Sequence, residues 1–221
     1  MELVSVNVGR PRPVTGGKKT GRTGIHKLPT REAIQIGAGG LVGDTICDVE
    51  NHGGPDQAVY VYGVPDYAWW SAELGDRLEP GTFGENLTID ELASSELMIG
   101  DYLCIGAVRL QVTAPRIPCS TLAARMGDPG FVRRFRDAER PGVYCRVLKE
   151  GTVRAGDRVV LERYVGDTIP VVELFRTYFA PASSEAELRR HLIAPVALRA
   201  RRDIETKLRK VGEHSRQAES T

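Results

Sequence analysis

Along the first 165 residues, apolar and polar positions alternate in short runs broken by Gly and Pro, the period of strands rather than helices. ELVSVNVG (2–9), QAVYVYG (57–63), ENLTI (85–89), YLCIGAVRLQV (102–112) and VYCRVL (143–148) each read as a strand. A shorter one is expected within 41–49, and KEGTVRAGDRVVLERY (149–164) reads as a closing hairpin. Short strands at this spacing predict a mainly β, barrel-like architecture with a few helices. One helix begins near Pro65, carries Tyr67, Ala68 and Trp70, and stops at Gly75. Another is expected to open with Asp128 as cap and Pro129 at its first position, burying Val132 and Phe135.

After about residue 166 the period lengthens to that of helices. Val171, Leu174, Phe175 and Tyr178 follow Pro170 at i, i+3, i+4, i+7 spacing. Ser184 and Glu187 fit a capping box for a second helix reaching Ile193. Val196, Ala200, Ile204 and Leu208 stripe a third. The chain thus divides into a β domain, 1–165, and a C-terminal three-helix unit, 166–221.

A net charge of +1 over 221 residues speaks against a dedicated nucleic-acid binder. No run is long enough to span a membrane, and MELVSVNVGRP alternates where a signal peptide has an apolar core, so the expected compartment is the cytoplasm. The four cysteines, 47, 104, 119 and 145, form no CxxC pair and are expected as thiols. Cys104 and Cys145 lie in apolar runs and read as small core residues, and Cys47 looks similar.

Cys119 differs: VTAPRIPCSTL sets it after two prolines, Pro115 and Pro118, which stiffen the approach. That is a scaffold for a reactive thiol or a rigid turn beside a core cysteine. In NHGGPDQAVYVY (51–62), His52 and Asp56 flank a Gly pair that lets a ligand approach the backbone, or simply makes a turn. GTFGENLTI (81–89) delivers Glu85 and Asn86 to a strand. Between Arg10 and Arg31 stand seven Lys or Arg and four glycines with no acid, either an anion cradle or a solvated loop, with His26 inside it.

Taken in order, KKTGRTGIHK, NHGGPDQAVYVY, GTFGENLTI, ELMIGDYLCIG, LQVTAPRIPCSTL and RPGVYCRVLKEGTVRAGD resemble the MOSC domain family, named from the C-terminal domain of molybdenum cofactor sulfurase. The match is to its bacterial YiiM-like branch, and the helical tail is similar to that branch's three-helix unit. The resemblance implies a β-barrel-like MOSC domain that binds the molybdenum cofactor (Mo-molybdopterin) and reduces N-hydroxylated compounds such as purine bases. Cys119 matches the family's loop cysteine, the implied molybdenum ligand. Lys19, Arg22 and Lys27 become candidates for the pterin phosphate, Arg116 for that phosphate or for stabilising the Cys119 thiolate, Asn86 for the pterin ring, Glu85 for the cofactor, and His52 and Asp56 for hydrogen bonds or a proton at the metal.

The chain has no flavin, haem or iron–sulfur motif, so an external electron-donor protein is expected. An alternative is a non-catalytic cofactor or sulfur carrier with a persulfide on Cys119. A third places function in the tail's Arg- and Lys-rich surface, which acids at 185, 187, 203 and 205 dilute. An apolar stripe left exposed on the tail would favour a homodimer.

Overall fold

A computed structural model describes residues 1–13, 21–48 and 52–219, with side chains as far as Glu213. Its strands are β1 (Leu3–Gly9), β2 (Arg12–Pro13), β3 (Arg22–Thr23), β4 (Lys27–Thr30), β5 (Ile34–Gly37), β6 (Gly40–Leu41), β7 (Val59–Gly63), β8 (Leu87–Ile89), β9 (Tyr102–Ile105), β10 (Val108–Pro115), β11 (Val143–Lys149), β12 (Gly151–Val153) and β13 (Val159–Glu162). Its helices are α1 (Val64–Leu74), α2 (Ser120–Met126), α3 (Phe131–Ala138), α4 (Val171–Phe179), α5 (Glu185–Ile193) and α6 (Leu198–Glu219).

Eight strands form one sheet in the order β13-β9-β10-β11-β7-β8-β1-β4, antiparallel except for β7 against β8. The sheet curls without closing into a continuous barrel. Glu2 bridges Arg158, and the Leu3 N–H donates to the Asp157 carbonyl at 2.9 Å, so its two sides meet only at the start of β1.

The period-2 pattern of VYVYG explains how β7 holds two cores apart. Val59 and Val61 join an aliphatic cluster with Leu87, Leu110 and Val143. Tyr60 and Tyr62 face an aromatic cluster with Tyr67, Trp70, Phe83, Phe131 and Phe135. All five β7 residues are buried, as expected of a strand covered on both faces. Helix α1 covers the aromatic side as the sequence indicates: Pro65 lies in its first turn, Gly75 closes it at φ 68°, and Trp70 Nε1 donates to Tyr62 Oη at 2.9 Å.

Several expectations need correction. Among the described residues of that stretch, 41–48, only Leu41 is strand; Val42 to Asp48 run as a loop. Helix α3 starts at Phe131, because Asp128 Oδ1 accepts the Gly130 N–H at 2.7 Å and holds a turn ahead of it. It buries Phe131 and Phe135, while Val132 is half-buried. Helix α2, directly after Cys119, was not expected, since its seven residues are too few to show a period.

Helices α4 to α6 share the aliphatic core with the sheet through Ile169, Val171, Leu174, Leu188, Val196 and Ile204. Ser184 caps α5, accepting the Glu187 N–H at 3.2 Å. Tyr178, expected on the apolar stripe of α4, is 46% exposed. The last helix runs for 22 residues.

Candidate functional site

Strand β10 carries a register shift between Val112 and Ala114, and the sequence there turns into the Pro-Arg-Ile-Pro-Cys arm. Thr113, skipped by the ladder, donates through Oγ1 to the carbonyls of Asp56 (2.5 Å) and Tyr144 (3.0 Å). The bulge therefore ties the arm to the 55–57 turn and to β11. At the arm's end Cys119 is the N-cap of α2, its carbonyl accepting the Leu122 N–H at 2.9 Å.

Burial and three neighbouring groups set the chemistry of Cys119. Burial opposes its ionisation, but a hydrogen bond from His52, the nearby Arg116 guanidinium and the Leu122 N–H outweigh it and bring the thiol down to about 6. His52 Nδ1 lies 3.3 Å from Tyr144 Oη. Arg116 is 4% exposed, donates Nη1 to the Phe83 carbonyl at 2.7 Å, and sits over the Tyr60 ring at 4.9 Å. Its Nε is buried and has no partner among the described residues. At neutral pH Cys119 is thus a thiolate beside a buried cation.

Two chambers meet at this sulfur, and Cys119, His52, Gln57 and Tyr144 line both. One, of about 680 Å³ counting its opening to solvent, is the polar chamber, so called because Arg22, Lys27, Asn86 and Arg116 reach it. The other, of about 890 Å³ counting its opening to solvent, is walled by the Ala114–Pro118 arm and by α4 and α6. Gly24 lets the walls of the polar chamber approach: a Cβ there would lie 1.9 Å from the Thr45 carbonyl oxygen.

The remaining expected residues divide. Lys27 lines the polar chamber, but its ammonium is ion-paired to Asp44, both side chains being buried. Asn86 Nδ2 donates to the same carboxylate at 2.9 Å, and its Oδ1 accepts the Tyr60 N–H at 3.1 Å. Arg22 is exposed at the rim. Lys19 lies outside the described residues.

Glu85 and Asp56 line neither chamber. Glu85 is fully buried; its Oε1 accepts from Tyr67 Oη (2.7 Å), the Gly81 N–H (2.6 Å) and Thr88 Oγ1 (2.8 Å), so it organises the 81–88 turn behind the site. Burial raises its pKa. Asp56 pairs with Arg146 at 3.1 Å and accepts the Leu198 N–H at 2.7 Å. It fastens the start of α6 to the sheet rather than joining His52 at the thiol. His26 also stands outside both chambers.

Sequence reasoning missed Tyr144, Gln57, Asp44 and the walls that α4 and α6 supply. It also assigned Cys47 to the core, whereas Cys47 is half-buried and lines the polar chamber. Cys145 is fully buried as expected, and Cys104 is half-buried. Alternation in VYCRVL does mark Tyr144 as facing away from Cys145, the one signal that could have found it.

Among the described residues no group of three or more His, Cys, Asp or Glu side chains could hold a metal ion. A soft thiolate, a buried cation with an unpaired N–H and a polar chamber fit an anionic, dithiolene-bearing pterin. No helix among the described residues is long and apolar enough to cross a membrane.

A family model described as the MOSC domain matches residues 48–160. Protein YflK of Bacillus subtilis (strain 168) is 36% identical over 159 residues, covering 72% of each chain. A protein of Gibberella moniliformis named a reductase is 34% identical over 167 residues, which are 73% of this chain and 29% of that much longer one. The crystal structure of YiiM from Geobacillus stearothermophilus superposes with a TM-score of 0.77 at 27% identity, over 94% of this chain and 98% of that one.

Proposed function

The chain belongs to the MOSC domain family, and from that premise we propose that it is a molybdenum-cofactor-binding oxidoreductase that reduces N-hydroxylated compounds, with Cys119 as the protein's ligand to molybdenum. The observation that carries this reading is the Cys119 thiol, brought to about 6 on a stiff arm where the two chambers meet. The fungal relative's name, a reductase, points the same way.

The reaction is R–NH–OH + 2 H⁺ + 2 e⁻ → R–NH₂ + H₂O. The cofactor, when bound, supplies the two-electron oxygen-atom chemistry, and the electrons come from an external donor protein. This chain's own residues bind, orient and supply protons. Arg116 would hold the anionic pterin through its buried, unpaired Nε, with Arg22 at the rim. Lys27 and Asn86 act together through Asp44 to shape the chamber floor, where Lys27 carries no unbalanced charge. His52, bonded to the thiol and next to Tyr144 Oη, is placed to hold and deliver a proton for the departing water. Pro115 and Pro118 fix the direction of the sulfur.

The test is molybdenum and released pterin per chain, together with turnover of an N-hydroxylated purine, in protein from a cofactor-competent host. Wild type should hold near-stoichiometric molybdenum and turn over. Cys119→Ala should lose turnover while keeping the fold. Full turnover by molybdenum-loaded Cys119→Ala would overturn the ligand assignment. A sulfur adduct on Cys119 in the intact mass, without pterin, would favour a sulfur carrier.

A further inference from the structure

We propose that the basic face formed by Arg12, His26 and Arg125, beside the mouth of the polar chamber, is where an acidic electron-donor protein docks. This rests on the reading that the chain takes its electrons from an external donor.

The fold sets these three residues one step outside the polar chamber. Arg12 of β2 pairs with Thr23 of β3, and Thr23 lines the chamber. His26 stands between Ile25 and Lys27, which line it too. Arg125 follows Thr121, another lining residue, by four positions on α2, so the two share one helix face. Arg12 is exposed, and His26 and Arg125 are half-buried. The three act on one another: burial, and after it the guanidiniums of Arg125 and Arg12, hold His26 below its usual value.

Little opposes this charge. Among the described residues no carboxylate pairs with Arg12 or Arg125, and Arg125 Nε is buried without a partner. Asp44 is taken up by Lys27, and Asp48 is the one acid among the described residues lining the polar chamber. Elsewhere arginines meet acids, as Arg134 meets Asp128, Arg163 meets Asp101 and Arg176 meets Glu139. In a chain of net charge +1 the positive excess is therefore local.

Reduction of R–NH–OH takes two electrons. A carrier that yields them singly, as a flavodoxin does in passing from hydroquinone to semiquinone, must dock twice per turnover. Such docking is fast and reversible, through a small interface steered by complementary charge. Helix α2 joins the face to the site, since Arg125 lies about 9 Å along its axis from Cys119. An acidic surface seated on Arg12 and Arg125 brings its carrier to the polar chamber, away from the α4 and α6 side.

The experiment uses full-length protein from a cofactor-competent host, with an acidic flavodoxin as the donor. Calorimetry gives the Kd for flavodoxin at low and at physiological salt. Turnover of an N-hydroxylated purine is driven separately by reduced flavodoxin and by reduced methyl viologen, a small donor that needs no docking face. Wild type should bind flavodoxin about tenfold more weakly at physiological salt. Arg12→Glu and Arg125→Glu should each weaken binding about tenfold and raise the KM for flavodoxin in step, with wild-type pterin content and viologen-driven turnover. Arg125→Gln, which adds no acid, should weaken binding less. Arg202→Glu, exposed on α6, should change nothing. Flavodoxin binding that neither Arg12→Glu nor Arg125→Glu weakens, that Arg202→Glu weakens as much, or that wild type lacks at low salt overturns the docking face; viologen-driven turnover then leaves the cofactor reading intact. A single-stranded oligonucleotide bound more tightly than flavodoxin overturns it in favour of nucleic acid. Charge-dependent flavodoxin binding without viologen-driven turnover supports the face and overturns the cofactor reading instead.

Discussion

An ordinary cysteine is mostly protonated at pH 7, whereas Cys119 ionises near 6 because His52, Arg116 and the Leu122 N–H outweigh its burial. In ligand-free protein, its alkylation by iodoacetamide should therefore rise through pH 6 and level off by about pH 7 to 8. His52→Ala should move that midpoint upward. The same asymmetry has a stability consequence. The folded value lies below the unfolded one of about 8.5, so the contribution is complete above pH 8.5 and fades as pH falls toward 6. Urea unfolding of wild type against Cys119→Ala should thus show a difference that shrinks between pH 9 and pH 6; a difference that grows as pH falls would contradict the assignment. Gly24 matters at this scale for another reason. Gly24→Ala sets a Cβ against the Thr45 carbonyl, and should cost more than about 1 kcal/mol, together with pterin retention.

Among the elements, α6 depends on a residue far away in sequence. Asp56 accepts the Leu198 N–H and pairs with Arg146, doing for α6 what a cap from its own chain neighbours does elsewhere. Asp56→Ala should lower stability by about 1 to 2 kcal/mol, and hydrogen exchange should accelerate first in the opening turn of α6. Unchanged exchange there would show that Asp56 does not anchor the helix. The turn Gly81–Thr88 is held in a similar way, by Glu85 accepting three hydrogen bonds on one oxygen. The sequence places Glu85 beside Asn86, but only backbone direction shows that one faces the aromatic core and the other the cleft.

For the whole molecule, the tail is continuous with the core of the sheet. Each fully buried aliphatic side chain such as Leu188 or Val171 stabilises by about 1.5 to 3 kcal/mol, and these belong to the same cluster as Leu103 and Val112. The full chain should accordingly unfold in one thermal transition. A chain ending at residue 165 should aggregate or lose its sharp transition, because Leu97, Ile99 and their neighbours would be uncovered. Two separate transitions, with a truncated domain that melts sharply by itself, would mean that the tail is an independent unit.

Much of this was legible in the chain itself. Alternation such as VYVYG marks strands because side chains point to opposite faces at every step, and Pro65 and Gly75 bound α1 through local backbone geometry alone. The order of GENLT and PRIPC likewise indicated the family and singled out Cys119. Tertiary structure decided what local rules cannot carry. Lys27 is neutralised by Asp44, Asp56 turns to α6, Cys47 comes to the cleft, and Tyr144 and His52 meet across 92 positions of sequence. Ionisation, charge balance and cavity shape depend on distances through space, and only the folded chain brings those groups within reach of one another.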